Sequence, residues 1–354
     1  MSRRRLAPSE RATLDPFVIA TGAASLRDQR DLMERPFFSL AKSRRVVPIR
    51  YEAGDVRVEV HALAEHGMAT IWDADILIWA ASQIVEAQNA DLPTSRFFRF
   101  TPSHLLTAIG RETGASDYKL LKSAFARLQS TVIRTTIRQG EHWRRHQFSW
   151  LNEWEELTRH DRRVEGMEFV LPDWFYRGVI DRSLVLAIDP AYFRLKGGIE
   201  RWLYRVARKH AGHQAHGWRF DFRHLHAKSG SLVRASDFAI QLRRIAARQP
   251  LPGYRLRVER EVGRELLHIL PSDPSRPVDS AVDAIGRSHA RSVGRSHATP
   301  SGDRTHESQL TLWPETTIPG LNRESNSNSN LLLGRKNGEN PAESARTPDA
   351  GASR

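Results

Sequence analysis

Two sets of basic side chains sit at spacings suited to reading nucleic acid. On the segment opened by Ser116, Lys119, Lys122 and Arg127 accompany the apolar residues Leu120, Leu121, Phe125 and Leu128. On the segment opened by Ser236, Arg243, Arg244 and Arg248 accompany Phe238, Leu242 and Ile245. An arginine or lysine on a helix lying in the major groove can reach O6 and N7 of guanine. Each segment is followed by a β-branched, alternating run with further cations: Arg134, Arg138, Arg144 and Arg145 after the first, Arg255, Arg257 and Arg260 after the second. Taken singly, any of these residues reads as the solvated face of a helix or strand. Their coincidence on both helices and both hairpins points to duplex DNA.

Other chemistry is sparsely represented. His224-Leu225-His226 has the His-hydrophobic-His form of rolling-circle nickases, which hold a metal ion and use a tyrosine nucleophile. That pair needs a strand, where residues two apart share a face, and here it falls in a segment that reads as helix. Tyr192 and Lys196 also precede the histidines, whereas the nickase tyrosine and lysine should follow them. The chain has no cysteine, which excludes thiolate metal sites and disulfides, and no lysine loop for nucleotide phosphates. We therefore expect no catalytic residues, no cofactor and no metal.

The net charge of +13 and pI near 10.6 favour a polyanionic partner. Residues 272–354 hold ten basic and ten acidic residues, which leaves 44 and 31 in residues 1–271, so the whole excess belongs to the part able to fold. No apolar run approaches the roughly 20 residues of a membrane span, and the start Met1-Ser2-Arg3-Arg4-Arg5 lacks the apolar stretch of a signal peptide. The expectation is a cytoplasmic protein, associated with nucleoid or plasmid and with no membrane.

The elements that must position these cations follow from periodicity. Val46 to Ala62 alternates as a hairpin would, and Asp73 stands as N-cap to a helix bearing Ile76, Leu77, Ala80, Ala81, Ile84 and Val85. Thr101-Pro102 opens a second helix, Ser116 a third, and Val132–Trp150 reads as a hairpin. The order then recurs. Asp189-Pro190 opens a helix that Gly212 ends, Asp221–Lys228 forms the next, Ser236 caps a third, and Tyr254–Leu270 makes a second hairpin. The fold expected is α+β: two tandem winged helix-turn-helix domains with a disordered C-terminal tail. The boundaries are a flexible basic arm over 1–32, a first domain over 33–160, a second over 161–271 and a tail over 272–354, whose Ser, Asn, Gly and Pro cannot bury enough surface to offset chain entropy.

Glu34-Arg35-Pro36-Phe37-Phe38-Ser39-Leu40, the run Leu203–Gly212, the turn Lys228-Ser229-Gly230-Ser231 and Leu251-Pro252-Gly253-Tyr254 resemble the plasmid replication initiator protein A family over residues 33–271. The resemblance implies binding to repeated origin sequences (iterons), help in melting AT-rich DNA, and recruitment of host proteins such as DnaA and the replicative helicase, with a monomer–dimer equilibrium. In the tail, Gln309, Leu310, Leu312 and Trp313 are similar to the sliding-clamp-binding peptide, with Trp313 where phenylalanine is commonest. A chance pentapeptide is the competing account. The alternatives to an iteron-binding initiator are a winged-helix transcriptional repressor and the nicking initiator set aside above.

Overall fold

The computed structural model describes residues 14–17, 25–138, 146–158, 164–212 and 214–272. In chain order the first half carries β1 (Pro16–Phe17), β2 (Arg27–Gln29), α1 (Arg30–Glu34), β3 (Ile49–Ala53), β4 (Val56–His61), α2 (Ala74–Asn89), β5 (Phe97–Phe100), α3 (Pro102–Ala108), α4 (Ala115–Ser130), β6 (Val132–Thr135), β7 (His146–Ser149), β8 (Glu153–Thr158) and β9 (Val164–Val170). The second carries α5 (Asp173–Ile180), β10 (Val185–Ala187), α6 (Gly198–Ala211), β11 (Trp218–Asp221), α7 (Phe222–Ser229), α8 (Ala235–Arg248), β12 (Tyr254–Glu261) and β13 (Arg264–Pro271). The architecture is mixed α+β, and among the described residues no helix is long and apolar enough to cross a membrane.

A repeat is present in connectivity as well as in order. Helix α2, strand β5, helices α3 and α4 and hairpin β8–β9 are matched by α6, β11, α7, α8 and β12–β13. The strand orders match too: β5-β9-β8, with β1 added at its edge, and β11-β13-β12. In each sheet the returning hairpin strand lies in the middle.

Two boundaries read from the sequence need correction. The hairpin expected after α4 does form, with Val132 opposite Ser149, but β6 also pairs with β4 and completes a separate sheet, β3-β4-β6-β7. The hairpin equivalent to β12–β13 is instead β8–β9, so a division at residue 160 would cut it in two. The segment Glu153–Thr158 carries no alternating signal because its residues, polar and apolar alike, are half-buried up to Leu157. Nor is the whole of 1–32 a mobile arm. Strand β1 pairs with β5, β2 pairs with β10, and Asp28, Gln29 and Leu32 are buried.

Aromatic packing seats α4 on its sheet: Phe98 and Phe169 stack with centroids 4.9 Å apart, and Phe125 lies 5.6 Å from Phe169. In the second half Phe238, Leu242, Ile245 and Ala246 turn one face of α8 inward. Asp221 caps α7 by accepting from the amides of Arg223 and His224, as its position suggests. Asp73, expected to cap α2, does not; its carboxylate accepts from the Thr70 amide and from Arg127. Gly230 ends α7 at φ +60°, and a Cβ there would lie 2.7 Å from the Pro36 ring, so the turn needs glycine for conformation and for space.

The halves meet through buried charge. Arg205 on α6 donates twice to Asp28 (2.6 and 3.1 Å), and Arg201 and Arg111 converge on Asp75 at 2.7 and 3.1 Å. The described residues accordingly group as one unit that includes both expected domains.

Candidate nucleic-acid interface

With its apolar face committed to the core, α8 leaves Ile240, Arg243, Arg244 and Arg248 exposed. The three arginines have different surroundings. Arg243 donates two hydrogen bonds to Glu265 on β13 (3.1 and 2.5 Å), which ties the helix to its hairpin and holds the Glu265 carboxyl below its usual range. Arg248 donates to Glu200 at 2.7 Å. Among the described residues no carboxylate pairs with Arg244, so its guanidinium keeps all its donors for another partner.

Alternation along β12 buries Tyr254 and Leu256 and exposes Arg255 and Arg257. Arg260 extends toward the tip of the hairpin, 3.5 Å from Glu265, and Val262 and Gly263 make the exposed turn. On the second half, then, Arg243, Arg244, Arg248, Arg255 and Arg257 lie on one helix and its adjoining hairpin. Glu265, which sets the position of Arg243, carries no signal of that role in the sequence. It is one of three glutamates in the hairpin, with Glu259 and Glu261, and only the pairing of β12 with β13 brings it to α8.

The first half is arranged differently. Lys119 is exposed on α4, but Lys122 pairs with Glu156 at 3.3 Å and Arg127 is held bidentately by Asp73 at 2.8 and 2.7 Å. Arg127 therefore fastens α4 to the start of α2. Arg134 sits on the β3-β4-β6-β7 sheet rather than on the hairpin equivalent to β12–β13, and donates to Gln147 at 2.8 Å. Arg138, expected on an outer hairpin, is turned inward, 3.9 Å over the Trp174 ring and 3.0 Å from Asp31. Arg144 and Arg145 lie outside the described residues, as do Gln309, Leu310, Leu312 and Trp313.

His224 and His226 lie on α7, where a separation of two residues sends them to different sides. His226 is bonded through Nε2 to the Val233 carbonyl at 2.7 Å, and His224 stacks on Phe220. Among the described residues no cluster of His, Asp and Glu could hold a metal ion.

Beneath this surface, Glu34 of α1 accepts from Lys209, from Lys228 at 2.8 Å and from His210 at 2.7 Å, joining α1 to α6 and α7. Burial alone would raise the Glu34 pKa, but His210, Lys228 and Lys209 outweigh it and hold the carboxyl far below its ordinary 4.5. Burial lowers His210 from 6.5. Both groups bind protons less readily folded than unfolded, so their stabilisation is full at neutral pH. It is lost from His210 as pH falls below about 6.5 and from Glu34 below about 4.5. Urea unfolding at pH 7, 5 and 3.5 should show midpoints falling in that order. A Glu34→Gln variant should start lower at pH 7 and fall less between pH 5 and 3.5.

The model of the family "Replication initiator protein A" matches residues 27–256. A protein of Wigglesworthia glossinidia brevipalpis described as a replication protein is 30% identical over 238 residues, covering 66% of this chain and 85% of its own length. Two crystal structures of domains 2 and 3 of RctB are similar at 13% identity, with TM-scores of 0.49 and 0.46; each covers 67% of this chain, and 96% and 95% of their own chains are matched.

Proposed function

The chain belongs to the replication initiator protein A family and acts in replication initiation, and from that premise we propose that it starts plasmid replication by binding repeated origin sequences in double-stranded DNA. On this reading each repeat of three helices, strand and hairpin is a winged helix. Helix α8 enters the major groove, with Arg243 and Arg244 at base edges, and β12–β13 is the wing along the backbone. The observation that supports it most is α8 itself: an exposed helix with Arg244 uncommitted, Arg243 oriented by Glu265, and Arg255 and Arg257 on the adjoining strand. The first half contributes fewer free cations, Lys119 foremost, and gives weaker, backbone-type contacts.

The protein works without cutting DNA. Supercoiled origin DNA incubated with it and magnesium or manganese should stay supercoiled; a covalent adduct that disappears in a Tyr192→Phe variant would contradict this. DnaA, the replicative helicase and the sliding clamp are the partners proposed, the last through Gln309, Leu310, Leu312 and Trp313, and a monomer–dimer equilibrium sets how much protein is competent. Saturable binding of the clamp to the full chain, abolished in Leu312→Ala/Trp313→Ala, is the test of that interaction.

Initiation is separated from repression by a small plasmid carrying the gene and its flanking DNA. The wild-type gene should sustain replication, and Arg243→Ala/Arg244→Ala should abolish it even when the protein is supplied from an unrelated promoter. Replication that persists while the gene's own promoter is derepressed would favour the repressor reading.

A further inference from the structure

The run Ser43-Arg44-Arg45-Val46-Val47, between α1 and β3, forms one wall of a cleft of about 820 Å3 whose opposite wall is α8. Lys42, Ser43, Arg44, Val46 and Val47 are exposed. The run is fixed from below: Arg45 is buried and donates to the carbonyls of Val47 (2.9 Å) and Gly230 (2.6 Å). Close packing at Gly198, where a Cβ would lie 2.0 Å from the Leu40 carbonyl oxygen, holds the preceding residues against the start of α6. This segment of the first half is thus a rigid part of the second half's surface.

Its charge is one-sided. Arg44, Arg45, Arg244 and Arg248 line the cleft against a single carboxylate, Glu200, which already accepts from Arg248 and from the Gly197 amide. Lys42, exposed and next to Ser43 in the chain, lies 5.2 Å from the Trp72 ring centroid. The cleft also lies on a particular side of α8. Gln241, Arg244 and Arg248, three or four residues apart, face it, whereas Arg243 faces Glu265 and the β12–β13 hairpin. A helix about 10–12 Å across fills a major groove about 12 Å wide, so the two DNA strands pass along its two flanks.

We propose that the loop Lys42–Val47, across the cleft from the base-reading Arg244, forms with Arg248 a second backbone rail that grips the phosphates of the strand opposite the one followed by β12–β13. The inference rests on α8 entering the major groove. Arg44 and Lys42 neutralise phosphates, and the exposed Val46, Val47 and Leu232 meet the apolar faces of the sugars. Because phosphate contacts carry no sequence information, the rail sets affinity and register rather than the choice of site.

The test is equilibrium binding of full-length wild type, Lys42→Ala/Arg44→Ala and Arg244→Ala to an origin-repeat duplex and a scrambled duplex across a salt series. The loop variant should bind both duplexes more weakly by a similar factor, with a log–log salt slope shallower by about 0.9 for each phosphate it no longer neutralises. Arg244→Ala should lose mainly discrimination. Lys42→Glu/Arg44→Glu should weaken binding further, and melting temperatures near wild type would confirm that these exposed changes leave the fold intact. An unchanged slope, or a weakening confined to the repeat duplex, overturns the rail. So does unchanged DNA binding accompanied by loss of binding to a glutamate-rich peptide, which would give the cleft to an acidic protein. Wild type that fails to prefer the repeat would instead sink the origin-binding reading, whereas preference abolished in Arg244→Ala with DNA binding untouched in the loop variant would sink the rail alone.

Discussion

Replacing Arg205 with alanine should destabilise the folded chain by about 3–5 kcal/mol, because it strands the Asp28 carboxylate in the core without its partner. Both side chains are almost completely inaccessible, at 1% and 3% exposure, so water cannot replace the missing donors. At roughly 2–4 °C per kcal/mol for a body of this size, melting should fall by about 6–20 °C. The double variant Arg205→Met/Asp28→Leu removes both charges together and should recover much of the stability. A cost below about 1 kcal/mol in the single variant would mean that Arg27–Gln29 is not docked on β10 and that the segment before residue 33 is mobile after all.

The second large effect is on binding. Arg243→Ala/Arg244→Ala should cost roughly 1–3 kcal/mol for each residue that makes a bidentate contact to a base, which is about 5- to 150-fold per residue. Glu265→Gln separates positioning from contact: it frees Arg243 from its ion pair while leaving its charge. Discrimination between the repeat and a scrambled duplex should fall in that variant, with the salt slope unchanged. Equal weakening on both duplexes for the arginine variant would reduce Arg243 and Arg244 to phosphate contacts.

What can be read from the sequence, and what cannot, divides along the range of the interactions. Helices α4 and α8 are legible because Leu121, Phe125, Leu128 and Phe238, Leu242, Ile245 recur at the period of one buried face, whereas α2 shows the same period in Ile76, Leu77 and Ile84 although it is buried on nearly every side. The β12–β13 hairpin is legible because Arg255 and Arg257 alternate with Tyr254 and Leu256. The Arg27–Gln29 segment is not, since a polar triplet has no apolar period. It is buried only because Val185–Ala187 pairs with it and Arg205, 177 residues from Asp28, neutralises it. Cations show the same limit: Lys119 and Arg127 look alike on α4, and the difference between them is Asp73, 54 residues from Arg127. The basic run at Lys42–Arg45 is visible in sequence, but its place beside α8 depends on the packing of Leu40 against Gly198.

Recognition of specific duplex DNA through α8 is open to a decisive check by footprinting of the purified protein on the DNA flanking its own gene. Protection should appear over several direct repeats of one sequence, at protein concentrations well below those that coat unrelated DNA, and should vanish from the repeats with Arg243→Ala/Arg244→Ala while nonspecific coating survives. Uniform coating with no repeated footprint, or an unaltered footprint in the α8 variant, would contradict it.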